Sequence, residues 1–156
     1  MEVTVIRHGT AEDRARTDAE RALTPSGRRE AQRAGERLAK STTPADSIIA
    51  SPYLRARQTA DLVAECLGFR DEVAVDEALC PDASPAGVRA LLANLTGRRH
   101  VILVAHEPIL SATCELLLGK PVPSLGRAEV LSMGTPGAHS FQPGNFPSDF
   151  EIRFRS

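Results

Sequence analysis

Apolar residues follow two different rhythms along this chain. Val3-Thr4-Val5-Ile6 and Val101-Ile102-Leu103-Val104-Ala105 are unbroken strand-favouring runs, the pattern of strands buried on both faces in a parallel sheet. Ser47-Ile48-Ile49-Ala50 is a shorter run of the same kind, and Val73 to Val75 is a further short candidate. Between these runs the spacing becomes helical. Ala31, Ala34 and Leu38 recur at i, i+3, i+7 behind Thr24-Pro25, a hydroxyl cap followed by proline at the first helical position. Gly35 within that segment lowers its helicity. Ser51-Pro52 repeats the cap-and-proline signal and predicts a helix to about Leu67, with Ala56, Thr59, Ala60, Leu62, Val63 and Leu67 on one face. Gly68 is placed to stop it. Ser84-Pro85 opens another helix, with Val88, Leu91, Leu92 and Leu95 facing inward and Gly97 at its end. A last helix runs to Leu118, closed by Gly119.

Residues 10–23 are rich in Ala, Asp, Glu and Arg without an apolar stripe, and read as an exposed loop. From about Lys120 the character changes: Pro121, Pro123, Pro136, Pro143 and Pro147 mark turns. Between them lie Glu129 to Met133 and the alternating Phe150-Glu151-Ile152-Arg153-Phe154, which reads as a half-exposed strand in an edge meander. Strand–helix alternation predicts an α/β fold: a three-layer sandwich, its sheet largely parallel, with helices on both faces and an antiparallel edge. With no repeat, linker or low-complexity tract, residues 1–156 are expected to form one domain.

Composition narrows the function classes. Aromatics make up only 4% of the chain against 42% hydrophobic residues, so the core is expected to be aliphatic. A net charge of −1 supplies no excess of Lys and Arg to displace counterions, which argues against a nucleic-acid partner. Cys66, Cys80 and Cys114 show no CxxC spacing and read as small buried hydrophobes in a reducing compartment. The opening residues lack a signal-peptide pattern, and no apolar stretch approaches the ~18 residues of a membrane span. A cytoplasmic protein with no membrane partner is expected.

Chemistry collects where the two strongest strands end. Val3–Ile6 runs into Arg7-His8-Gly9, and the later strand into His106-Glu107-Pro108. In open α/β sheets ligands gather at the carboxyl ends of strands. Arg55 lies in the first turn of the predicted second helix, beside N–H groups without intrahelical partners. Two imidazoles and two guanidinium groups converging at one sheet end form an anion receptor. His100 and His139, by contrast, read as structural or exposed.

At these residues the chain resembles the histidine phosphatase superfamily. The matching motifs are Arg7-His8-Gly9, Ser51-Pro52-x-x-Arg55-x-x-Gln58-Thr59 and His106-x-Pro108. The Arg21-x-Leu23-Thr24 stretch and Ala105-His106-Glu107-Pro108 look most like its SixA-type phosphohistidine phosphatase branch. The resemblance extends from residue 3 to about residue 119. It implies a phosphohydrolase in which His8 attacks phosphorus and is transiently phosphorylated, Arg7 and Arg55 grip the equatorial oxygens, and His106 donates to another. Arg21 would add a further phosphate contact. Neither metal nor other cofactor is implied. The residue types suit that chemistry, since imidazole is nucleophilic near neutral pH and arginine offers a planar bidentate fork.

The general acid is where the chain departs from larger members, which place a glutamate in a longer insertion after the third strand. Here that region is only Asp76 to Asp82, leaving Glu77, Asp82 and Glu107 as candidates. Solvated-loop roles for Glu77 and Asp82, and a helix-start role for Glu107, compete with that reading. An imidazole leaving group, with a conjugate-acid pKa of about 6.5, asks less of an acid than an alkoxide does. The expected substrate is therefore phosphohistidine on a protein. The alternatives are a phosphatase of a small phosphorylated metabolite and a non-catalytic phospho-ligand binding module.

Overall fold

The computed structural model describes residues 1–41, 44–95, 97–134 and 150–154. Among these residues six strands form one sheet: β1 (Glu2–Arg7), β2 (Ser47–Ala50), β3 (Ala74–Val75), β4 (His100–Ala105), β5 (Val130–Gly134) and β6 (Phe150–Phe154). Their order is β3-β2-β4-β1-β5-β6. β3, β2, β4 and β1 pair in parallel, while β5 and β6 add antiparallel on the far side of β1. The sheet is thus largely parallel with an antiparallel edge, as the strand pattern predicts.

Among the described residues four α-helices cover it: α1 (Pro25–Ser41), α2 (Leu54–Leu67), α3 (Pro85–Ala93) and α4 (Ile109–Leu118). Alternation along each strand divides the core in two. Ile6, Ile48, Ala50, Ile102 and Val104 pack with Ala34 and Leu38 of α1 and Ala56, Ala60 and Val63 of α2. Val3, Val5, Val101, Leu103 and Leu131 pack on the other face with Val88 and Leu92 of α3 and Leu110, Cys114 and Leu117 of α4. Three layers result. Gly35 is explained by the close approach of α1 to α2: a Cβ there would lie 2.7 Å from Cβ of Cys66 and 3.1 Å from Cα of Val63.

Two local expectations shift. α2 begins at Leu54 rather than at Ser51-Pro52, and its cap residue Tyr53 makes no side-chain capping bond. Thr24 does cap α1, accepting from the Gly27 N–H at 3.0 Å. α3 ends at Ala93, with Asn94 as its cap; Gly97, at φ +98°, turns the chain beyond it. His139, Pro136, Pro143 and Pro147, and the facing of the β6 side chains, lie outside the described residues.

Among the described residues no helix is long and apolar enough to cross a membrane.

Candidate active site

Strand register sets the site. β1 and β4 are adjacent and parallel, with Arg7 opposite Ala105. The next residue of each strand is a histidine, so His8 and His106 emerge side by side, ring centroids 5.1 Å apart and planes at 60°. The same logic on the other side of β4 pairs Ala50 with Val104. That delivers Ser51 against His106, with 2.8 Å between Ser51 Oγ and His106 Nε2.

His8 is oriented through its other ring nitrogen. Nδ1 lies 2.7 Å from the Gly9 carbonyl oxygen. A carbonyl only accepts, so Nδ1 carries the proton and Nε2 holds a lone pair. The Arg55 Nε–H donates to that nitrogen at 3.3 Å. Burial, opposed by the Gly9 bond and reinforced by Arg55, Arg7 and Arg21, lowers the His8 pKa to about 4. Burial, followed by the positive fields of His8 and Arg55, lowers that of His106 to about 3. Both rings are neutral near pH 7.

Arg55 comes from the first turn of α2 and is buried. The motif residue Thr59, one turn on, accepts from the Gly9 N–H at 3.1 Å and donates to the Arg55 carbonyl at 2.8 Å. It therefore ties the loop after β1 to α2. Arg7 donates from Nη1 to the Leu125 carbonyl at 2.9 Å. Arg7 Nε and His106 Nδ1 are buried and have no hydrogen-bond partner among the described residues. Such groups cost about 1–3 kcal/mol each when unmatched, a cost that hydrogen bonds to a bound oxyanion would relieve.

The remaining candidates lie further from this centre. Arg21 donates from Nη1 to Asp18 Oδ1 at 2.7 Å and from Nε to the Glu12 carbonyl at 2.6 Å. Asp18, which also contacts Arg55, ties Arg21 to the site, and the Arg21 charge acts on His8. Glu107 folds back on α4, accepting from the Ser111 hydroxyl at 2.6 Å and the Ser111 N–H at 3.3 Å; this is the helix-start role. The Glu77 carboxylate accepts from the Cys80 thiol at 3.2 Å. Asp82 is exposed in the turn that follows. His100 is fully buried at the opposite end of the sheet, paired in register with Glu2 and 2.8 Å from Thr4 Oγ1.

This geometry can be set beside known proteins. Residues 3–80 match the family model described as Histidine phosphatase superfamily (branch 1). The chain is 30% identical to the phosphohistidine phosphatase SixA of Escherichia coli (strain K12), over 85% of this chain and 84% of that protein. The chain belongs to the histidine phosphatase superfamily. Among solved structures, the protein histidine phosphatase SixA complexed with tungstate superposes with a TM-score of 0.87 at 27% identity, covering 97% of this chain and 96% of that one. A mycobacterial glucosyl-3-phosphoglycerate phosphatase shares the fold, with a TM-score of 0.70 at 23% identity over 85% and 92% of the two chains.

Two neighbours of this histidine phosphatase site escape sequence reasoning. Asp18 sits in the loop read only as exposed and charged. Tyr53 stands edge-on to His106, centroids 5.2 Å apart, and its ring lies 5.0 Å from the Arg55 guanidinium carbon, within cation–π range. An aromatic between a proline and a helix start carries no signal of its own.

Proposed function

We propose that this histidine phosphatase removes the phosphoryl group from phosphohistidine on a protein, through a covalent intermediate on His8 Nε2. The observation that carries the reading is the pairing of ring nitrogens. His8 is anchored at Nδ1 and presents Nε2, while His106 is anchored at Nε2 and presents Nδ1. One imidazole is thereby set as nucleophile and its neighbour as donor to a phosphoryl oxygen. Residues 1–156 act in this reading as one domain.

In the first step the His8 Nε2 lone pair forms a bond to phosphorus while the bond from phosphorus to the substrate's imidazole nitrogen breaks. The leaving nitrogen takes a proton from solvent. His8 becomes cationic, and its Nδ1–H bond to the Gly9 carbonyl strengthens as that charge appears. Arg55, Arg7 Nε and His106 Nδ1 donate to the equatorial oxygens, where charge resides in a loose transition state. In the second step water attacks phosphorus, the bond to Nε2 breaks and inorganic phosphate leaves. An imidazole of lowered basicity leaves phosphorus more readily than an ordinary one. Guanidinium groups supply the positive charge, so the reaction as written calls for no metal. This reading places the enzyme in the cytoplasm, a reducing setting that three cysteines without CxxC spacing suit.

The test compares kcat/KM on a phosphohistidine peptide, a phosphoserine peptide and simple sugar phosphates, with His8→Ala as control. Phosphohistidine should lead by more than about tenfold, since its leaving group needs the least acid assistance. His8→Ala should lose more than about a thousandfold in kcat, together with the acid-labile phosphoenzyme. A preference for sugar phosphates would favour a small-metabolite phosphatase. Near wild-type turnover in His8→Ala would overturn the mechanism.

A further inference from the structure

Asp18 opens a short 3-10 turn, Asp18–Glu20, and its side chain is 55% accessible, yet it is bonded to two arginines of the site. Its Oδ1 accepts from Arg21 Nη1 at 2.7 Å and its Oδ2 from Arg55 Nη2 at 3.2 Å. Its backbone carbonyl accepts from Arg55 Nη1 at 2.8 Å. Both terminal nitrogens of the Arg55 guanidinium are thus held, each by one of its N–H groups, and the Nε–H faces His8 Nε2. A guanidinium is planar, so fixing two corners sets the direction of the third.

We propose that Asp18 is a positioning residue: by gripping Arg55 at both terminal nitrogens and tethering Arg21 to the same carboxylate, it aims the Arg55 Nε–H at the oxygens of a phosphoryl group bonded to His8 Nε2. The inference rests on the reading of His8 as nucleophile. The hydrogen bond from Arg21, and the field of Arg55 with it, hold the Asp18 carboxyl below the usual carboxylate range. Asp18 therefore stays ionised near neutral pH and is no proton donor to the leaving group. The competing account is that the carboxylate merely occupies the place of a substrate anion. The two accounts separate, because a plug slows the enzyme and a positioning group speeds it.

Asp18→Ala removes both side-chain acceptors and keeps the carbonyl, while Asp18→Asn keeps the shape and removes the charge. On a phosphohistidine peptide, kcat should fall roughly ten- to a hundredfold in Asp18→Ala, the scale of a misaimed catalytic donor. Asp18→Asn should fall between Asp18→Ala and wild type. KM and inhibition by inorganic phosphate should be unchanged or tighter, because a negative charge has left an anion site. In an Arg55→Ala background, Asp18→Ala should cost no more than about twofold further, as expected for residues acting through one another. Four results would overturn the proposal: raised kcat/KM in Asp18→Ala; wild-type kcat in both variants; the full loss repeated without Arg55; or a kcat loss matched by a lost folded fraction in thermal melts. If His8→Ala stays active, the parent reading fails. If His8→Ala is dead and the Asp18 variants are wild type, only the role of Asp18 fails.

Discussion

A neutral imidazole has one proton and one lone pair, and at this site the neighbours decide which nitrogen holds which. For His8 the neighbour is a backbone carbonyl, which leaves no choice. For His106 it is the buried hydroxyl of Ser51, which also accepts from the Tyr53 N–H at 3.3 Å. When that hydroxyl gives its own proton to Nε2, His106 keeps its proton on Nδ1 for the substrate. Ser51→Ala should therefore lower kcat about tenfold with the fold intact, and ring-nitrogen NMR should show His106 losing its single tautomer. Unchanged kcat with unchanged shifts would show that Ser51 only packs. Ser51-Pro52 carries the same local signal as a helix cap, which is why sequence alone misassigns it: its partner lies 55 residues away, reached only through the β2–β4 register. The positions of His8, Arg55 and His106 were legible for the opposite reason, since a buried strand announces where it ends. The acid candidates were not, because a carboxylate's partner is chosen by the fold. Glu107 turns to Ser111 and Glu77 to Cys80, whose thiol pKa is raised to about 11 by burial first and by Glu77 next.

One level up, the loop after β1 holds His8 in place because two helices clasp it. Thr10 offers its carbonyl to the Thr24 N–H at 2.9 Å, and its own N–H and hydroxyl bond to Glu30 of α1. The approach leaves no room for side chains. A Cβ on Gly9 would lie 2.5 Å from the Gly27 carbonyl oxygen, and one on Gly27 would strike the Thr10 carbonyl oxygen. Backbone sits on both sides of that contact, so nothing can rotate away. Gly27→Ala should destabilise the protein by about 1–3 kcal/mol in urea unfolding, and lower kcat by shifting His8. A variant as stable as wild type would mean that α1 and the loop can part freely. The strand and helix boundaries were readable from periodicity to within a few residues, but this clasp was not. Gly27 sits inside a helical pattern where its cost is visible and its reason, a contact with residue 10, is not.

For the whole molecule, the two lowered histidine pKa values couple folding to pH. In the unfolded chain both rings titrate near 6.5, whereas in the native protein His8 waits until about 4 and His106 until about 3. Between those limits the unfolded state binds more protons, so stability falls as the solution is acidified. Above about pH 6.5 neither ring contributes a slope, and below about pH 3 the loss is complete. The melting temperature should therefore drop by more than about 5 °C from pH 7 to pH 4. Carboxylates such as Asp18, whose pKa is also lowered, add to the loss at the acid end. Two variants isolate the imidazole part. His8→Asn and His106→Asn remove one titrating ring each, so each should flatten the curve between pH 6.5 and pH 4. A wild-type curve flat across that window, or variants that keep its full slope, would show that the native rings titrate normally. Direct NMR titration supplies the matching readout: His8 should remain neutral at pH 5.5, with its midpoint nearer 4 than 6.5. The same shift keeps the nucleophile unprotonated through the physiological range, so burial that weakens the fold in acid is what keeps the His8 lone pair available at neutral pH.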